Sequence, residues 1–443
     1  MPASRTGAAT AGGTTASAPA DTMTIAEKIM ARAAGRPRVA SGEYVDCRLD
    51  GVMAYESFVD THEHLIDAGL PDGIPKVWNP KRLYLMVEHV QPATSVRQAE
   101  RAKKLRELVP RYRIEHFSDV TCGICHQMMV DRAHALPGQL LVGSDSHSVM
   151  WGALNCASTG IGEMDLAYAV TFGELWFMVP ATIRLELTGS PPPWPVAKDV
   201  MLALAGRHGA DFALYRALEV TGPGASALSM DGRFTIADHG IEVGAKFAIF
   251  EHDDRTREFL DGRAEEGFEP VAPGPAASYE QTLTIDLSEL APQVAAPHSF
   301  DNVHPVDDLL GIRFDQACIG SCANGRFEDI EATARILRGR RVHPGVRLLV
   351  SPASWEVWKR CAEAGLPQTI VEAGGQFLDP GCGICIPARA YLAPGEVCLS
   401  ATTRNYQGRM GSPDASIYLA NPATVAWSSV VGAIADPREV LGT

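Results

Sequence analysis

Two hydrophobic rhythms alternate along this chain, one suited to helices and one to strands. A helix is expected over Ile25–Ala34, with Thr24 as N-cap, Glu27 in capping-box register and Gly35 closing it. A second is expected over Ser95–Leu108, apolar at Val96, Ala99, Leu105 and Leu108, with a solvated Arg/Lys face between. Leu140–Gly143 reads as a short strand that runs straight into Ser144-Asp145-Ser146-His147. Polar residues just past a strand end are where α/β proteins build sites. Ile183, Leu185 and Leu187 alternate as a strand until Gly189–Pro193 breaks the pattern.

Asp199–Leu204 begins another helix, and Leu283, Ile285 and Leu287 alternate as another strand. The Pro/Ala-rich stretch 291–305 reads as a linker. Beyond it, strands at Val346–Val350 and Val397–Leu399 alternate with helical stretches such as Glu328–Leu337, which argues for αβα layers throughout. The expected division is a disordered tail over 1–22 and a first αβα domain over 23–190. A second domain with the linker follows over 191–300, and a third over 301–443.

Composition narrows the function classes. A hydrophobic content of 46% and a charged content of 21% are ordinary for a globular protein. The net charge of -14 argues against nucleic acid as a partner, because phosphate binding wants a basic footprint. No uncharged apolar run is long enough to span a bilayer, so a membrane location is not expected. Ten cysteines in 443 residues are too sparse for a disulfide scaffold; with no secretory signal they read as cytoplasmic thiols free for metal or catalysis.

Cys382 and Cys385 form a C-x-x-C on a glycine-rich turn, so both sulfurs can face one metal. A third thiol comes from Cys322, in Gly320-Ser321-Cys322-Ala323-Asn324-Gly325, or from Cys318, which sits in an apparent buried strand. Taken alone, a C-x-x-C is more often structural. A four-thiolate zinc site with Cys122 and Cys125 is a rival, at a separation far outside zinc-ribbon spacing. Glu88-His89, Cys125-His126-Gln127 and Asp145-Ser146-His147 each set an imidazole in a polar, turn-rich context. A carboxylate beside an imidazole fixes its tautomer and raises its basicity, as a proton donor to a leaving hydroxyl requires; singly, each histidine reads as structural.

His62-Glu63-His64 suggests a different chemistry, the H-x-H by which a metal-dependent amidohydrolase barrel presents two zinc ligands. That reading leaves the thiol motifs idle. Gly160-Ile161-Gly162 does not complete a dinucleotide fingerprint, because Asp165 stands at the third glycine position. Arg404 and Arg409 set two guanidiniums beyond the Val397–Leu399 strand, suited to gripping carboxylates.

In chain order these motifs resemble the aconitase family, most closely the separate large subunits of 3-isopropylmalate dehydratase and homoaconitase. The resemblance runs from about Thr24 to the C-terminus. It includes Gly123-Ile124-Cys125-His126-Gln127, Val142 through Ser148, Ile241 through Lys246, Gly320 through Arg326, Cys382-Gly383-Ile384-Cys385 and Arg404 through Arg409. It implies three αβα-layered domains around a [4Fe–4S] cluster held by Cys322, Cys382 and Cys385. It also implies the pairs His89 with Glu88, His126 with Asp145 and His147 with Glu242 as the catalytic carboxylate–imidazole groups. Ser146, Arg404 and Arg409 would bind a hydroxy-di- or tricarboxylate substrate, which the enzyme would dehydrate and rehydrate.

The family also has a swivelling domain that supplies a serine base; the three expected layered domains would fill this chain, so the resemblance implies a separate small subunit. Some positions depart from the family pattern. Glu88 stands where the family usually has Asp, and Asp238 and Thr403 where it usually has Asn; Tyr55–Leu65 is also unlike the usual segment. These changes point to moved substrate contacts, and leave open a different hydroxy-diacid in a specialised pathway, or a cluster-free relative that only binds.

Overall fold

Three larger β-sheets and one two-stranded ribbon organise residues 21–442, which the computed structural model describes. The first sheet is parallel, in the order His116–Ser118, Leu83–Met86, Gly51–Ala54, Leu140–Gly143, Ala157–Gly160. Its central strands are apolar and buried along their whole length, as helices on both faces require. The chain winds outward in one direction from Gly51–Ala54 and in the other from Leu140–Gly143. The crevice between those two carboxyl ends is a topological switch point, where open α/β sheets bind ligands.

The second sheet is also parallel, in the order Phe247–Phe250, Ala217–Thr221, Thr182–Thr188, Gln281–Asp286. Its strand Thr182–Thr188 lies on the N-terminal side of the Gly189–Pro193 break. The third sheet has seven strands, with Gln316–Gly320 between Arg347–Ser351 on one side and Val397–Ser400 on the other, all parallel. This is a second switch point. Cys322 follows one of its strands, and Thr403 and Arg404 follow the other.

Local signals and structure agree at the first helix, Ile25–Ala33. Glu27 N donates to Thr24 Oγ1 at 3.3 Å, and Thr24 N donates to Glu27 Oε2 at 2.9 Å. The second helix overruns its expected end and spans Val96–Tyr112, with Pro110 in its last turn. Tyr112 Oη donates to Ile74 O at 2.6 Å, and this tertiary anchor holds the turn that Pro110 would otherwise end.

Three expectations are corrected. The stretch 291–305 is not a linker: Gln293–Ala295 and Val303–Pro305 pair with each other, and the former also pairs with Ser416–Ala420. Its prolines fall outside the paired N–H positions or at the outermost strand, where a missing donor is tolerated. Asp21 and Thr22 are not tail: their carbonyls accept from Ala276 N at 3.1 Å and Ser278 N at 3.0 Å. The rest of the expected tail lies outside the described residues. Finally, His62 and His64 lie within the helix Ser57–Asp67. His62 Nδ1 is buried against Ile74 N and Tyr112 Oη, while His64 is exposed and paired with Glu163, so they share no metal position.

Candidate active site

The carboxyl ends of the first sheet carry a cluster of three imidazoles around one carboxylate. Asp145 caps the short helical segment Ser146–Leu154, accepting from His147 N at 2.9 Å. Its Oδ1 also lies 2.9 Å from His126 Nε2 and 3.5 Å from His147 Nδ1, and its Oδ2 lies 3.6 Å from His89 Nε2. Burial alone would raise the Asp145 pKa, but the hydrogen bonds from His126, His147 and His89 hold it well below the usual carboxylate range. One carboxylate thus orients three rings that come from three separate strand ends.

The rings differ in their second partners. His89 Nδ1 sits against Glu88 Oε1, and Tyr55 stacks on the His89 ring with centroids 4.2 Å apart. Burial disfavours charge on His89, yet Glu88 and Asp145 outweigh it and raise the imidazole well above its ordinary value. His147 Nε2 lies 3.0 Å from Glu242 Oε1. Against burial, Asp238, Asp145 and Glu242 push its pKa up to about 10. Both rings are therefore held as proton carriers near neutral pH.

Arg404 reaches the same cluster from the third sheet. Its Nε donates to Glu242 Oε1 at 2.7 Å and its Nη2 to Ser146 Oγ at 3.0 Å. Arg409 reaches the thiols instead, with Nη2 3.2 Å from Cys385 Sγ and Nη1 donating to Tyr406 Oη at 3.0 Å. Both guanidiniums are partly exposed toward the crevice, as a carboxylate grip needs.

The thiols line the adjoining wall. Cys322 lies on the one-turn helix Ser321–Asn324, and Cys382 opens the turn Cys382–Ile384 that leads to Cys385. All three are buried. The hydrogen bond from Cys382 holds the Cys385 thiol well below its ordinary value against burial, with help from Arg409 and Thr403, whose Oγ1 is 3.2 Å from the sulfur. Cys318, by contrast, is inside the strand Gln316–Gly320 and faces Cys398 at 4.0 Å. Cys122 turns away too, toward Val87 O at 3.6 Å, so the four-thiolate zinc reading fails.

Among the described residues the three sulfurs do not all close to within 4.8 Å of one another. Zinc–sulfur bonds of about 2.3 Å allow thiols on one ion to stand no more than roughly 4.6 Å apart. The trio therefore suits a group larger than a single ion, and Arg409 and Thr403 supply the charge and hydrogen bonding that thiolate-bound metal requires.

Several residues of this neighbourhood were not singled out by sequence. Arg326 is fully buried and donates to Gln127 Oε1 at 3.1 Å, to Ala323 O at 2.8 Å and to Cys322 O, fixing the Cys322 turn to the helix that carries His126. The buried Lys198 donates to the carbonyl of Thr402, next to Thr403. Tyr55 could have been found, since it opens the segment that departs from the family pattern.

An imidazole–carboxylate cluster beside three buried thiols, at paired switch points of parallel sheets, is an arrangement of proton carriers and metal donors in an α/β protein. The chain belongs to the aconitase family, whose model (aconitate hydratase) matches residues 84–311 and 307–432. It is 42% identical to the 3-isopropylmalate dehydratase large subunit 1 of Methanopyrus kandleri, over 94% of this chain and 99% of that one. It is 39% identical to the probable methanogen homoaconitase large subunit of Methanothermobacter thermautotrophicus, over 95% and 99%. The 3-isopropylmalate dehydratase large subunit of Aquifex aeolicus matches at 40% over 95% and 98%. The amidohydrolase alternative is set aside by this membership and by the helical setting of His62 and His64. Among the described residues no helix is long and apolar enough to cross a membrane.

Proposed function

We propose that this chain is the large, catalytic subunit of a cytoplasmic iron–sulfur hydro-lyase. It takes water from a 2- or 3-substituted malate-type hydroxy acid and returns it through an unsaturated diacid. The observation that carries the reading is the convergence of His89, His126 and His147 on Asp145 and Glu242, beside Cys322, Cys382 and Cys385. The three cysteines would hold a [4Fe–4S] cluster. When bound, that cluster supplies a Lewis acid for the substrate hydroxyl and a neighbouring carboxylate.

The chain's own residues would do the rest. His89 carries a proton on the nitrogen toward Asp145, with Glu88 behind its other nitrogen to balance the charge, and gives it to the departing hydroxyl. His126 and His147 keep Asp145 ionised and hydrogen-bonded, so the proton stays on His89 until it is transferred. Arg404, steadied by Glu242 and Ser146, and Arg409 grip the substrate's carboxylates. Three sheet-centred units carry these groups, and the proton on carbon is taken by a base from a separate small subunit. The "large subunit" names of the relatives support that partner.

The relatives' names divide between 3-isopropylmalate dehydratase and homoaconitase, and Glu88, Asp238 and Thr403 alter the surroundings of the reacting atoms. The substrate is therefore proposed as a class. The test is anaerobic reconstitution with iron and sulfide beside a candidate small subunit, followed by an ultraviolet screen of 2- and 3-substituted malates for formation of the unsaturated diacid. Turnover only when both subunits are present is expected. Full turnover by the single chain would refute the two-subunit reading, and a colourless protein would refute the cluster.

A further inference from the structure

Asp238 ends the helix Met230–Asp238 with no solvent exposure, and the Cys322 thiol is the one described side chain close enough to hydrogen-bond its carboxylate, which has no other partner among the described residues. A buried carboxylate left so costs several kcal/mol unless a proton or a cation comes to it. Its neighbours are a ring nitrogen of His147 and the sulfur of Cys322, both buried, and the three ligand atoms all lie within 4.8 Å of one another. Tetrahedral metal bonds of about 2.0–2.3 Å set ligand atoms roughly 3.3–3.8 Å apart, so an ion would draw these atoms inward from that limit. One nitrogen, one carboxylate oxygen and one thiolate form a mixed donor set for borderline-soft divalent ions, with a fourth position left open.

We propose that His147, Asp238 and Cys322 form a site for a single divalent cation of the zinc or cobalt class in protein that carries no cluster. The site goes beyond the cluster reading and competes with it, because Cys322 cannot serve both. Binding the ion releases two protons to solvent, the Cys322 thiol proton as the metal–sulfur bond forms and the imidazolium proton of His147 as the metal–nitrogen bond forms. The geometry explains why the trio of thiols is not the single-ion site: those sulfurs do not all approach closely enough, whereas this set does.

The test is an anaerobic titration of the full-length, cluster-free chain with Co²⁺, read by its tetrahedral visible bands and its thiolate charge-transfer absorption. One equivalent is expected to bind, with the charge-transfer strength of one thiolate. Asp238→Asn, nearly isosteric, should weaken binding at least tenfold, while the double variant Cys382→Ala/Cys385→Ala should bind like the parent. Unchanged affinity in Asp238→Asn, or loss of the band in the double variant, would overturn the proposal. If Asp238→Asn does not fold, the thiolate count and the double variant still decide. Cluster assembly is read separately as iron and sulfide content, so failure of that reading would not be mistaken for failure of this one.

Discussion

Glu242 Oε1 accepts from Arg404 Nε at 2.7 Å, joining two residues 162 apart in sequence, and the same oxygen lies 3.0 Å from His147 Nε2. A guanidinium on the third sheet and an imidazole on the first are thus held by one carboxylate. The substrate grip and the proton-carrying cluster are coupled at a single oxygen.

Replacing Arg404 by Lys keeps the charge but removes the fork that serves Glu242 and Ser146 together. Steady-state kinetics with both subunits should show KM raised about tenfold or more, with kcat/KM down by ~10²-fold. An unchanged KM would remove Arg404 from substrate binding.

Cys318→Ala and Cys322→Ala separate the two candidate thiols. Cys318 packs inside a strand, so its loss should lower stability by about 1–2 kcal/mol yet leave bound iron intact. Cys322→Ala should fold but fail to retain the cluster. Iron and sulfide analysis after reconstitution measures both.

Arg326→Met tests the support beneath the Cys322 turn. The substitution leaves Gln127 Oε1 and the carbonyl of Cys322 without their buried donor, while Ala323 O keeps Thr235 Oγ1 at 2.8 Å. Each such loss costs about 1–3 kcal/mol, so a drop of at least ~2 kcal/mol in unfolding free energy is expected, with reduced iron retention. Urea denaturation reads the first and metal analysis the second.

His134 gives the protein an acid-sensitive point remote from the thiols. It stacks on Tyr84 at 4.4 Å, and burial, with His116 and Arg132 nearby, lowers its pKa to about 3. A histidine whose folded pKa is depressed contributes stability that is present above pH 6.5. That stability is lost as pH falls toward 3, because the unfolded chain takes up the proton first. Between pH 7 and 5 the contribution should shrink by roughly 2 kcal/mol. His134→Gln should flatten that part of the stability profile; parallel urea midpoints for parent and variant would count against this account.

Local signals carried far along this chain. The capping box at Thr24 and Glu27 forms as written, because both partners lie within one turn and need nothing from elsewhere. The strand Leu140–Gly143 follows from an apolar run, and the helix Phe327–Leu337 from apolar positions recurring at helical spacing among charged ones. Context defeated the same reasoning over 291–305, where prolines and alanines look like a linker but a sheet edge is available to pair with. It failed also at His62 and His64, whose spacing fits a strand end until the helix around them is seen.

The sequence by itself determined the inventory: three cysteines on glycine-flanked turns, histidines beside carboxylates, and two arginines past a strand. The family resemblance implied their pairings, but only the tertiary structure decided how the pairs come together in one crevice. Asp145 collects rings from three strand ends because the first sheet reverses its winding there. Arg404 reaches Glu242 because two sheets open onto the same crevice. The buried carboxylate of Asp238, with only the Cys322 thiol and cationic neighbours around it, is the clearest case, since its surroundings can be recognised only when every neighbour is in place.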